Sequence, residues 1–222
     1  MSSRGAVFAG IRRSLGVTGE EATRRFDVEM RLKQAPPGIV PTRGQGDASA
    51  RLATFKAEAE RAQASLAQVQ ELTDAPAEIA RFLRKSNCPA TLRMGEDPLL
   101  AGMPWGETSL EILNGPSDGG DVNAVSAAFA GIAETGTLAL VSGADNPTTL
   151  NFLPDNHIVV LPREAIEADY ESVFAKLRNV YGKGGAPRTL NFITGPSRSA
   201  DIEQTLLLGA HGPRRLHIVV VG

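Results

Sequence analysis

The sequence predicts an α/β fold built on a parallel sheet and preceded by a helical N-terminal segment. Three observations predict it. Residues 157–161 and 216–221 are rich in Val, Ile and Leu with no polar alternation, the pattern of strands covered on both faces. From residue 157 onward the chain reads strand, helix, strand, helix, strand. The N-terminal third, by contrast, is made of helix formers and breakers.

Residues 3–15 form a short helix, with Val7, Phe8, Ile11 and Leu15 at helical spacing. Residues 35–46 read as a linker, because Pro36, Pro37, Gly38, Pro41, Gly44 and Gly46 break any regular element. Asp47 is placed to cap a helix. Residues 48–72 are mostly Ala, Glu, Gln, Arg and Leu, and Leu52, Phe55, Ala59, Ala62, Leu66 and Val69 make one apolar stripe. That predicts one long helix. Thr73 or Asp74 caps the next, with Pro76 near its start and Ile79, Phe82 and Leu83 on its apolar face. Strand-like runs follow at 90–94, 109–113, 137–141, 157–161, 189–194 and 216–221. Helices fit at 163–178, with Ile166, Tyr170, Val173, Phe174 and Leu177 on one face, and at 199–208. The chain divides into an N-terminal helix and linker, 1–46, and an α/β domain with its leading helices, 47–222.

Composition excludes several classes. The 222 residues are 42% hydrophobic and 22% charged, enough for a core without staples. Basic residues number 23 and acidic 25, so the net charge of −2 removes the electrostatic reason to expect nucleic-acid binding. One cysteine excludes a disulfide framework, a Cys-only zinc site and a self-contained iron–sulfur cluster. Three histidines leave little for a metal, and none is expected. No apolar run approaches the roughly 20 residues of a spanning helix. Arg12 and Arg13 interrupt any signal-peptide core, so a cytoplasmic location is expected.

Short motifs weigh little. Gly115-Pro116-Ser117-Asp118-Gly119 matches the G-x-S-x-G nucleophile elbow, but no helix clearly begins there and an exposed loop is the better reading. Gly182-Lys183-Gly184-Gly185 lacks phosphate-loop spacing. Cys88 reads as a small residue at a packed junction. His211 and His217 have no third ligand, and His217 reads as a structural histidine.

Two segments carry more. In the first, Glu134, Thr135, Gly136 and Thr137 form a turn before an apolar strand. Such a turn can present N–H groups and hydroxyls to a ligand, with Glu134 as acid, base or nucleophile. A tight turn whose threonines satisfy their own backbone fits equally well. In the second, Thr194-Gly195-Pro196-Ser197-Arg198-Ser199-Ala200-Asp201 reads as strand, sharp turn and helix N-terminus. Ligands of open α/β sheets sit at the carboxyl ends of strands, and free N–H groups there attract anions. Ser197, Arg198 and Ser199 could add contacts. A plain capped helix is the competing reading, with Ser199 as N-cap and Asp201 facing the dipole.

Together these blocks, with Asn146–Pro154, His157–Val160 and Gly209–Pro213, resemble the LUD-domain family of the lactate-utilisation protein C type. The resemblance covers residues 90–222 strongly and the preceding helices loosely. Position 199 is Ser where the family usually has Thr, which keeps the hydroxyl. The resemblance implies a three-layer sandwich similar to the sugar-phosphate isomerase and coenzyme A transferase-like group, with a mainly parallel sheet covered by helices on both faces. It also implies a subunit or accessory protein in the oxidation of L-lactate to pyruvate. The iron–sulfur clusters are expected only in partner proteins, with no cofactor in this chain. On that reading Glu134, Thr135, Gly136 and Thr137 form one wall of a small organic-acid site. Ser197, Arg198, Ser199 and Asp201 form the other, Arg198 pairing with a carboxylate. The alternative is a free-standing enzyme of the coenzyme A transferase or 5-formyltetrahydrofolate cyclo-ligase kind, with Glu134 as acyl acceptor or general acid–base.

Overall fold

The computed structural model describes residues 3–200, 206–209 and 211–222. The chain divides into two units, one running to Val40 and one from Pro41 to Gly222. The first unit is two helices, α1 (Ser3–Leu15) and α2 (Ala22–Gln34). The bounds of α1 are those its apolar spacing predicts. The sequence reading has no counterpart of α2, whose apolar Phe26, Val28 and Leu32 are all exposed. Ala35 closes α2 in the left-handed conformation, its N–H donating to the Arg31 carbonyl, and Pro36-Pro37 follow.

In the second unit α3 (Ala48–Arg61) begins as expected, the Asp47 carboxylate accepting from Ala50 N at 2.8 Å. It does not reach residue 72. Gln63 turns left-handed at φ 69°, and the chain continues as strand β1 (Ser65–Val69). The stripe through Leu66 and Val69 belongs to a strand, because Leu66 packs into the core on one face of the sheet and Val69 into the core on the other. Then come α4 (Ala75–Lys85), β2 (Thr91–Met94), the single turn α5 (Pro98–Ala101) and β3 (Glu111–Asn114). Next are β4 (Asn123–Ala127), β5 (Ala130–Ile132), β6 (Thr137–Val141), β7 (Asn156–Pro162) and β8 (Ile166–Glu167). The remaining elements are α6 (Tyr170–Tyr181), β9 (Leu190–Ile193), β10 (Arg198–Ala200), β11 (Leu206–Leu208) and β12 (Arg215–Val221).

Six strands form one parallel sheet in the order β1-β12-β7-β4-β2-β3. The apolar runs of β7 and β12 lie inside it, covered on both faces as their composition predicts. Ile158, Val160 and Val219 face α4 through Ile79 and Leu83. Val159, Leu161 and Ile218 face α3 through Leu52 and Phe55. Phe55 is fully buried, so its truncation to Ala costs about 3–5 kcal/mol. Helices thus lie on both faces of the parallel sheet. What composition does not announce is a second sheet, β8-β5-β6-β9, on the α3 side. In it β6 pairs antiparallel with both β5 and β9, and α6 covers the outer face through Val173 and Leu177.

Two predicted helices are corrected. The segment 163–178 is helical in earnest only from Tyr170, because Asp169 takes the N-cap and accepts from Ser172 N at 2.8 Å. Before it, Arg163–Ala165 make a 3-10 turn, and β8 pairs parallel with β5, burying Ile166. In place of the helix expected at 199–208, the described residues form strands β10 and β11, which pair antiparallel with Arg198 opposite Leu208; residues 201–205 lie outside the described residues. Ser197 anchors this pair, donating its N–H to the Pro213 carbonyl and accepting from Gly209 N.

Candidate ligand site

The turn 133–136 joins β5 to β6. Ala133 N and Glu134 N donate to the carbonyls of Glu167 and Ala168, extending the β5–β8 pairing. The backbone then reverses at Gly136, φ 63°, hard against the backbone of Glu58 and Ala59 in α3, where no side chain fits. Glu134 is buried, and its Oε1 accepts from Tyr170 N at 3.3 Å, placing a carboxylate at the N-terminus of α6. Thr137 is fully buried. Its hydroxyl lies 2.7 Å from that of Thr135, 2.7 Å from that of Thr194 and 3.2 Å from the Tyr170 hydroxyl.

Thr194 opens the second segment at the carboxyl end of β9. Gly195 follows at φ 71°, against the Ala62 backbone just past α3. Both segments therefore lean on the end of one helix, and the Thr137–Thr194 contact joins them. The strand that ends here belongs to the smaller mixed sheet, however, where it pairs antiparallel with β6, and β10 follows instead of a helix. The expected helix N-terminus at Ser199, with its free N–H groups and anion preference, is overturned among the described residues. Asp201 lies outside the described residues.

Beside this junction is a pocket of about 300 Å³. Its walls are the 194–198 segment and the 211–213 turn, and His157 and Asn151 contribute from the parallel sheet side. Ser197 lines it, and Arg198 reaches it from an exposed position. Among the described residues, Glu134, Thr135, Gly136 and Thr137 do not line it; they reach it through Thr194. Its place in the parallel sheet is the amino end of β7 and β12, where His157 and Leu216 sit side by side.

His157 is the part that sequence reasoning missed. It is 1% exposed, and its Nε2 lies 3.1 Å from Ser126 Oγ. Ser126 Oγ in turn donates to Asn151 Oδ1 at 3.0 Å. The ring's Nδ1 is buried with no hydrogen-bond partner among the described residues. Burial lowers the ring's pKa to about 3, so the imidazole is neutral at pH 7. The only signal in the sequence is a histidine opening an otherwise apolar strand. Its partners come from β4 and from the turn before β7.

Elsewhere most buried polar side chains bond to one another, although His217 Nε2, like His157 Nδ1, is buried with no hydrogen-bond partner among the described residues. A wider, more open hollow adjoins the pocket near Cys88, but its Asn156 donates to Asn123 Oδ1 at 2.8 Å and accepts from Arg215 at 3.0 Å. His217 faces the opposite side of the sheet, stacked on Phe82 at 3.9 Å with Nδ1 2.8 Å from Ser65 Oγ. Burial lowers its pKa to about 4, with Glu78 opposing. Ser117 is buried in a loop, its hydroxyl accepting from Gly119 N.

Comparison with known proteins is concentrated on the same region. A family model described as LUD domain matches residues 123–221. A lactate utilization protein C from Geobacillus thermodenitrificans is 33% identical over 53% of this chain and 52% of its own length. One from Geobacillus sp. (strain WCH70) is 40% identical over 40% of this chain and 38% of its own. The match thus spans about half, or less, of these relatives. A crystal structure of a DUF162 family protein from Deinococcus radiodurans covers 80% of this chain and all of its own at a TM-score of 0.56 and 24% identity, a likeness of fold.

Proposed function

The chain carries a LUD domain and belongs to that family, and on that premise we propose that it serves lactate utilisation by holding a small organic acid in the pocket beside Gly195. The observation that carries this reading is the pairing of an exposed guanidinium, Arg198, with a buried neutral imidazole, His157, around one cavity. A planar guanidinium binds a carboxylate through two parallel N–H donors. The cavity's volume lies at the lower end of the range for small-molecule sites.

In this reading Ser197 and Arg198 face the acid's carboxylate, with Ser199 next along the same strand. The Glu134–Thr137 turn is the supporting wall, coupled to the pocket by the Thr137–Thr194 hydroxyl contact. The relatives named lactate utilization protein C support the metabolic setting. Electron transfer is assigned to iron–sulfur partner proteins, with this chain as the accessory subunit.

The test is a thermal-shift titration with L-lactate, pyruvate, phosphate, ATP, acyl-CoA and folates. Ligand at 100 times its dissociation constant adds about 2.7 kcal/mol of stability, well within reach of such a scan. A shift with lactate or pyruvate that disappears in Arg198→Ala is expected. Shifts confined to acyl-CoA, ATP or folates would transfer the site to the free-standing enzyme class. Co-purification with the iron–sulfur proteins tests the partner assignment separately.

A further inference from the structure

At the amino end of β1 and β12, three side chains from different elements stand in series. Ser65 is exposed, and its hydroxyl lies 2.8 Å from Nδ1 of His217. Its other contact, with the Leu216 carbonyl, is longer at 3.4 Å. His217 is 3% exposed, and Phe82, stacked at 3.9 Å, holds the plane of the ring. On the other edge of the ring, Nε2 is buried with no hydrogen-bond partner among the described residues, and Glu78 Oε1 lies 3.6 Å from it. Two hydrogen bonds from Arg81 hold that carboxylate in place. An exposed hydroxyl, a buried imidazole and a carboxylate behind the imidazole are the parts of an activated nucleophile. Such sets are recognised by geometry and roles, in any chain order and on unrelated folds. Their contacts are often long before substrate tightens them, as the 3.6 Å separation is here. Ser65 also lines the hollow of about 900 Å³, together with Gln63, Asn87, Cys88, Arg214 and Arg215. That hollow has room for an acyl group, and its amides and guanidinium groups are donors of the kind that stabilise an oxyanion.

We propose that Ser65 is an acyl-accepting nucleophile toward activated carboxylic esters, with His217 as its general base and Glu78 as the residue that positions the base. A bond forms from Ser65 Oγ to the acyl carbon, and the hydroxyl proton passes to Nδ1 of His217. The bond from that carbon to the leaving oxygen breaks, and the leaving oxygen takes the proton. Water then attacks the acyl-serine in the same way, releasing the acid and restoring the hydroxyl. The ring's other proton sits on Nε2, toward Glu78, whose charge favours the imidazolium formed on the way. The proposal does not rest on the organic-acid reading, because Ser65, His217 and Glu78 do not line that pocket.

The experiment treats the whole chain with a fluorophosphonate, which phosphonylates activated serines, and maps the modified peptide by mass spectrometry. Labelling at Ser65 is expected, with release of 4-nitrophenol from 4-nitrophenyl acetate that Ser65→Ala abolishes. Ser117→Ala, within the G-x-S-x-G segment, is expected to label like the unaltered protein. His217→Gln is expected to slow labelling at least about a hundredfold. The pH profile needs no change to the buried ring. Burial holds the His217 pKa at about 4, with Arg81 assisting and Glu78 opposing, so the base is free well below neutrality. Between about pH 5.5 and 8 the rate is expected to stay nearly level, whereas an unassisted serine gains about tenfold per pH unit. In Glu78→Gln, slower labelling is expected together with a lower titration midpoint of the His217 ring proton resonance, which a packing role alone does not move. An unmoved midpoint overturns the role of Glu78. No labelling, labelling confined to other residues, a tenfold-per-unit profile, or labelling at Ser65 that His217→Gln leaves unchanged overturns the proposal.

Discussion

The hydroxyls of Thr137 and Thr194 lie 2.7 Å apart, and this contact ties the β5–β6 turn to the end of β9. Thr137 is also the hub for Thr135 and Tyr170. Thr137→Val keeps the shape and removes the hub. It is expected to cost about 1–3 kcal/mol in urea unfolding, because buried polar partners lose their bonds. A midpoint unchanged from the parent protein would show that the cluster contributes nothing to stability.

Gly136 and Gly195 are the positions where both segments touch the end of α3. Each has positive φ, and a methyl group at either would overlap helix backbone. Gly136→Ala and Gly195→Ala are each expected to cost more than the about 1–3 kcal/mol of backbone strain alone. Gly115, also at positive φ but with open space around it, serves as control: alanine there costs the strain only. Equal losses at all three would mean that the close approach to α3 is not felt.

Two carboxylates hold the start of α6. Asp169→Ala removes an N-cap and is expected to cost about 0.5–2 kcal/mol. Burial pushes the Asp169 pKa upward, but hydrogen bonds from Ser172 and Gln45 prevail and hold it below the ordinary value. Glu134→Gln keeps an oxygen for Tyr170 N, whereas Glu134→Ala does not. The glutamine variant is expected to unfold near the parent's midpoint, and the alanine variant about 1 kcal/mol earlier. If both lose the same amount, the charge of Glu134 matters and the hydrogen bond does not.

Stability is expected to fall on the acid side of neutrality. His157 and His217 have folded pKa values lowered by burial to about 3 and about 4. Below about 6.5 the unfolded chain takes up protons that the folded chain refuses, so unfolding becomes easier as pH drops toward those values. Each histidine contributes about 2 kcal/mol to the loss between pH 7 and pH 5. Urea unfolding at a series of pH values reads the slope, and His157→Gln or His217→Gln should each remove about half of the histidine contribution. A flat profile would mean that the folded rings take up protons over the same pH range as the unfolded chain.

The sequence made some elements legible and concealed others for physical reasons. Strands β7 and β12 were readable because burial on both faces leaves them rich in Val, Ile and Leu. Strand β1 was not, because Ala67, Gln68 and Leu66 favour helices and the strand is decided by β12, with Ser65 and His217 152 residues apart. The β10–β11 pair was hidden for a similar reason: Ser197-Arg198-Ser199 suits a helix cap as well as a strand. Of the site, Ser197 and Arg198 stood out through turn chemistry and line the pocket. His157 did not, because its bond to Ser126 spans 31 residues and its character comes from burial.

The order of the six-stranded sheet sets a schedule for the chain during synthesis. Strand β1 sits at the edge and joins the sheet only through β12. At about 5–20 residues per second, the 152 residues between Ser65 and His217 take roughly 8–30 s to emerge. Throughout that interval β1 has no lawful neighbour, and once β7 is made it shows β12's empty place to any passing strand until β12 follows. Nascent chains stalled before Arg215 are therefore the species a chaperone must shelter.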